Sequence, residues 1–126
     1  MRLNRSTDYA IRVVLCLAKE ERAISSSKLS KMVGVSSRYL LQIGARLRGA
    51  GLIETAYGPN GGLVLLKPTE EISLYDIIMV MEGDAAPFES YYGAVKPFEA
   101  LHIAYGNVEE MWVRSLKDVT IASLLL

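Results

Sequence analysis

Thiol and imidazole groups are almost missing from this chain of 126 residues, which has one cysteine, Cys16, and one histidine, His102. A single thiol excludes an internal disulfide and any metal or cluster site built from several cysteines of one chain. One histidine leaves little for a His-dependent triad or a His-rich metal centre. No paired acid–base constellation stands out, and the glycines at 58–62 lie in a hairpin pattern rather than ahead of a helix. Apolar runs fall short of the roughly 18 to 20 residues that span a bilayer. No apolar stretch follows Arg2 and Arg5 directly, as a signal peptide would require. With 51% apolar residues the chain can bury a core. These absences predict one small cytoplasmic domain that is not an enzyme, holds no cofactor and has no membrane partner.

The net charge of zero conceals a split. Residues 1–67 hold eleven Lys/Arg against four Asp/Glu, a net of +7. Residues 68–126 hold three against ten, a net of −7. A basic half beside an acidic half points to a polyanion partner for the first and a different task for the second.

Periodicity divides the chain further. Residues 6–19 carry Tyr9, Val13, Cys16 and Leu17 at helical spacing, with Ser6 or Thr7 available as a cap. Ile24 has room for a short extended pairing. A second helix starts in Ser25-Ser26-Ser27 and stops at Gly34, which suits a left-handed C-terminal cap. Ser36 caps a third helix reaching Arg48 or Ala50. The period then changes: Leu52–Ala56 and Leu63–Leu66 read as strands around Tyr57-Gly58-Pro59-Asn60-Gly61-Gly62, a hairpin. Ser73 caps a helix from Leu74 to Met81, ended by Gly83. Residues 84–97 have no clear period.

Helix, turn at Gly34, helix, then a glycine-rich hairpin is the order of a winged helix-turn-helix. The third helix must bury one face and offer the other to a major groove wide enough to admit it. Leu40, Ile43, Gly44 and Leu47 form the inward stripe. Ser37, Arg38, Leu41, Gln42 and Ala45 then face outward, with Arg46 and Arg48 further along. Gln pairs with adenine and Arg with guanine, so Arg38 and Gln42 are the expected base readers. Ser36 and Ser37, at the positive end of the helix, favour a phosphate. Tyr39, Arg46 and Arg48 complete the expected contact set on the helix, the two arginines to phosphates. At the hairpin tip Gly58, Asn60 and Gly61 allow close approach to the duplex. Tyr57 either donates to a phosphate or packs on the strands.

These residues resemble the Rrf2 (Rrf-two) family of bacterial winged-helix regulators. The resemblance rests on Met1-Arg2-Leu3, Thr7-Asp8-Tyr9-Ala10-Ile11-Arg12, Val35-Ser36 with Tyr39-Leu40, and Leu47-Arg48. It continues through Ala50-Gly51-Leu52-Ile53, Gly58-Pro59 with Gly61-Gly62, Ile72-Ser73-Leu74-Tyr75-Asp76-Ile77, Met81-Glu82-Gly83 and Thr120-Ile121. It implies a homodimer on a partly palindromic operator, usually a repressor. Many such regulators hold an iron–sulfur cluster on three cysteines in the loop before the long helix. Here that loop has none: Ser90 stands about where the first would be, while His102 and Asp8 match positions that are ligands in some relatives. Thiolates are the main ligands of such clusters, so a regulator without a cluster is expected. Relatives often have an acidic residue at the position of Leu41 and a wing arginine at that of Tyr57, which implies a different operator preference.

Val108, Met111, Trp112, Ser115, Leu116 and Val119 make an apolar stripe, and 121–126 add apolar surface behind it. Pairing across a two-fold axis would cover both, with Val108, Met111, Trp112, Leu116 and Val119 as the interface. The same axis would set two recognition helices about one DNA turn apart or somewhat more. The expected architecture is mainly α with a small β-hairpin. A winged helix-turn-helix DNA-binding domain covers 1–83, a loop 84–97 and a dimerisation helix 98–126, whose helical pattern starts near Phe98 or Val108 and is clear to Val119. Phe88, Tyr91, Tyr92, Phe98 and Tyr105 are candidates for a small-molecule effector pocket, a protein effector being the other option. The competing reading is a winged-helix module that binds a partner enzyme.

Overall fold

The computed structural model describes residues 3–83 and 96–125. Its first helix, α1 (Arg5–Glu20), follows an amphipathic pattern that buries Ala10, Val13, Val14 and Leu17 and leaves Tyr9 and Cys16 half-buried. Neither Ser6 nor Thr7 caps it. The N-cap is Asn4, whose carbonyl accepts from the Thr7 and Asp8 N–H groups and whose own N–H donates to the Glu82 carboxylate at 3.3 Å. Thr7 is instead wholly buried, its hydroxyl without a partner among the described residues. Helix α1 therefore starts at Arg5, one residue ahead of the expected 6–19, with its cap at Asn4 while Thr7 is drawn into the core.

Helices α2 (Ser26–Val33) and α3 (Ser37–Gly49) are separated by the expected turn. The Ser25 hydroxyl accepts from Lys28 N–H at 3.2 Å and the Ser36 hydroxyl from Tyr39 N–H at 3.1 Å, so each satisfies a donor that the helix itself leaves free. Gly34, at φ 87°, takes the left-handed conformation that closes α2.

Strands β1 (Ile53–Ala56) and β2 (Gly62–Leu65) pair antiparallel in the register Ile53↔Leu65 to Ala56↔Gly62. Ile24 adds a one-residue bridge on the other side, exchanging backbone bonds of 3.0 and 2.8 Å with Leu63. Helix α4 (Leu74–Glu82) begins in a capping box: Ser73 Oγ accepts from Asp76 N–H and the Asp76 carboxylate from Ser73 N–H. One core, drawn from α1 to α4 and both strands, includes Leu29, Leu40, Ile43, Leu47, Ile53, Leu63, Ile72 and Ile77.

The end of the chain departs from expectation. Helix α5 spans Glu99–Lys117, unbroken at Gly106-Asn107, and does not run to 126. Beyond it Thr120 bridges to Ser73, the Val119 carbonyl accepts from Leu74 N–H at 2.9 Å, and Ile121 N–H donates to Ile72 at 2.8 Å. Ile121 is fully buried in the protomer's own core. Val119 thus lies past the helix, tied to α4, and Ile121 needs no second chain to cover it. Helix α5 packs on α4, with the Lys117 ammonium 4.9 Å from the Tyr75 ring centre. None of its residues is fully buried.

Candidate nucleic-acid interface

Helix α3 has two sharply different faces. Leu40, Ile43, Gly44 and Leu47 are buried, while Ser37, Arg38, Leu41, Gln42 and Ala45 are exposed, as is Ser36 at the cap. At Gly44 an added methyl would lie 3.6 Å from Leu63 Cδ1 and 4.0 Å from Ile53 Cδ1, in van der Waals contact, so the helix packs closely on the hairpin there. Arg38 and Gln42, four residues apart, project from one row of the outer face. Tyr39 is less available. It is half-buried and sets its ring edge-on to Tyr9, centroids 5.8 Å apart, which braces α3 against α1.

The two arginines expected on phosphates have other engagements. The Arg46 guanidinium donates to the Val80 carbonyl at 3.3 Å and the Met81 carbonyl at 2.7 Å, at the C-terminal end of α4. A cation is favourable at that negative end of the helix. Arg48 donates to the Thr55 hydroxyl at 2.8 Å, joining the end of α3 to β1. Arg46 therefore joins two helices of the protomer instead of standing free for a phosphate. Sequence could not show this, because its acceptors lie more than thirty positions away. Arg46→Ala is expected to lower unfolding stability by about 1–2 kcal/mol, as a charged donor and its carbonyls part. A urea midpoint left unchanged, with affinity for every duplex lowered alike, would return Arg46 to the phosphates.

At the wing, Tyr57 is 91% exposed, which removes strand packing as its role. Gly58 has φ 105°, and its carbonyl accepts from Gly61 N–H at 3.0 Å to close the turn that carries Asn60. Gly61 has no room for a side chain, because a methyl would overlap the Ala56 carbonyl. An open notch beside the tip is lined by Arg22, Ala23, Ser25, Asn60 and Gly61. Arg22 was not among the expected site residues; the Ile24–Leu63 bridge, two residues on, holds its stretch of chain beside the wing.

Residues 3–126 match the family described as Rrf2, an iron-dependent transcriptional regulator. The chain belongs to the Rrf2 family. A Lactococcus lactis protein that carries the name HTH-type transcriptional regulator YffB is 32% identical over 136 residues, covering 98% of this chain and 86% of its own. Protein aau3 of Rhizobium meliloti is 38% identical over 92 residues, and the match spans 72% of this chain but only 60% of that relative. Among solved structures, CymR, the global cysteine regulator of B. subtilis, superposes with a TM-score of 0.84 at 27% identity, covering 99% of this chain and 96% of its own. IscR of T. potens does so at 0.79 and 27%, covering 99% and 86%. The Rrf2 chain is thus a DNA-binding helix-turn-helix transcriptional regulator and not an enzyme.

An iron centre needs thiolate, imidazole or carboxylate donors. Cys16, the one thiol, is half-buried on α1. Desolvation pushes its pKa up, Lys19 offsets part of the rise and Glu20 adds to it, so the neutral thiol is favoured over the thiolate that binds metal. Asp8 pairs with Arg12 at 2.9 Å in an exposed i, i+4 bridge. His102 is half-buried on α5, its ring 6.2 Å from that of Tyr105. No group of three His, Cys, Asp or Glu side chains converges among the described residues. These donors do not fit an iron–sulfur cluster. Of the candidate effector aromatics, Phe88, Tyr91 and Tyr92 lie outside the described residues, while Phe98 is exposed and Tyr105 half-buried. No helix among the described residues is long and apolar enough to cross a membrane.

Proposed function

We propose that this Rrf2 regulator is a homodimeric repressor without an iron–sulfur cluster that lays α3 into the major groove of a partly palindromic operator. The observation that carries the reading is the exposed row on α3. Arg38 and Gln42 stand clear of the fold on a helix whose other face is wholly committed to the core. Ser36, Ser37, Arg48 and the wing residues Tyr57, Gly58, Asn60 and Gly61 form its flanks. The basic charge of residues 1–67 supports phosphate contact along that side. Absence of a cluster rests on the donor count, since one thiol cannot replace several thiolates.

Dimerisation rests on α5, where Val108 is 47% and Met111 66% exposed, with Trp112 and Leu116 half-buried beside them. Two such helices across an axis would cover these side chains. The division follows: residues 1–83 bind DNA, 84–97 connect, and 98–126 pair the protomers, the last few also anchoring in the first unit. A dimer on its operator would repress by occupying DNA that polymerase needs, until a small-molecule or protein effector releases it.

Selection of bound sequences from random duplexes tests this. A consensus with two related halves is expected, occupied by two protomers in sedimentation, with log K falling by several units per tenfold rise in salt. A flat salt response, or one protomer per site, would overturn it.

A further inference from the structure

We infer that Leu41 is a specificity-determining residue that seats against the 5-methyl group of one thymine in the major groove. The inference rests on the proposed docking of α3 and deepens it by naming a base. Three other large aliphatic residues of α3, Leu40, Ile43 and Leu47, are at most 2% exposed, whereas Leu41 is 57% exposed. It stands in the middle of the outer row, with Arg38 three residues before it and Ala45 four residues after it, both exposed. A leucine more than half exposed on a face otherwise built of polar and small side chains gains little for the fold. Such a side chain has neither donor nor acceptor, so it cannot read the nitrogen and oxygen edges of bases. The one apolar feature that a base pair presents in the major groove is the thymine methyl. Leu41 also disfavours cytosine at that position, because its exocyclic amino donor would be covered without a partner. Ala45, with its short side chain, leaves the approach open.

Uracil deletes that methyl and leaves every hydrogen-bonding edge of the base unchanged. The selected operator is therefore rebuilt with each thymine replaced singly by uracil, and binding is measured with the wild-type chain and with Leu41→Ala. One position per half-site is expected to lose about fourfold in affinity for the wild type, the equivalent of one buried methyl. Leu41→Ala is expected to bind the thymine and uracil duplexes equally at that position, with an unchanged thermal midpoint because the side chain is not in the core. Wild-type indifference to every uracil, while specific binding persists, overturns the role of Leu41 alone. Full thymine preference retained by Leu41→Ala does the same. A wild-type chain that binds no duplex even at low salt overturns the docking of α3 and the inference with it.

Discussion

Gly62→Ala is expected to lower unfolding stability by about 3–5 kcal/mol, through backbone overlap and strain. Gly62 has φ 150° at the start of β2, and the backbone of the α1–α2 link passes directly over it. An added methyl would penetrate the Ile24 carbonyl and lie 2.6 Å from the Ser25 nitrogen. No flexible side chain can move aside, because both obstacles are main chain. Relief requires Ile24 and Leu63 to separate, losing the bonds of 3.0 and 2.8 Å that tie the wing to the helices. Both side chains are also core residues, so separation exposes apolar surface. Gly58→Ala is the control: its φ of 105° carries strain, but nothing lies within 4 Å of the added methyl. Urea unfolding should therefore show a much larger shift at 62 than at 58. A Gly62→Ala midpoint close to wild type would mean that the bridge yields easily and does not hold the wing.

The second large effect concerns affinity. Arg38→Ala combined with Gln42→Ala is expected to weaken operator binding by roughly 2–5 kcal/mol, about thirtyfold to several thousandfold. Both side chains are exposed, and no hydrogen bond or ion pair holds either within the protomer among the described residues. Stability should then change by no more than about 0.5 kcal/mol, as at other surface positions. Two donors aimed at base edges would be gone, and the selected consensus should degenerate at their positions. Affinity for unrelated duplex should fall far less, with the salt slope reduced by about one unit for the lost arginine charge. Anisotropy titration against operator and scrambled duplexes separates these outcomes. An operator Kd equal to wild type would remove both residues from the interface.

Much of the local chemistry that involves residues three or four apart was legible in the sequence. The Ser25 and Ser36 caps, the Gly34 turn, the inward stripe of α3 and the hairpin around Gly58–Gly62 all depend on such neighbours, and each is present. Ser73 was visible as a cap, and Asp76, three residues later, is the reciprocal half of its box. What could not be read depends on distant packing. Asn4, Ser6 and Thr7 are all acceptable caps, and only the core selects Asn4 by burying Thr7. Arg46 and Arg48 look equivalent in sequence, yet one meets α4 and the other β1. Apolar spacing near the C-terminus marked surface to be covered. It could not distinguish Ile121, covered within the protomer, from Met111, which is open.

The anchored tail gives α5 a mechanical character. At 19 residues it is an arm about 28 Å long, fastened at its foot where Val119 and Ile121 clasp the two sides of the Ser73 cap. Helix α4 is thus held at both ends, by this clasp at its N-terminal cap and by the grip of Arg46 from α3 at its last turn.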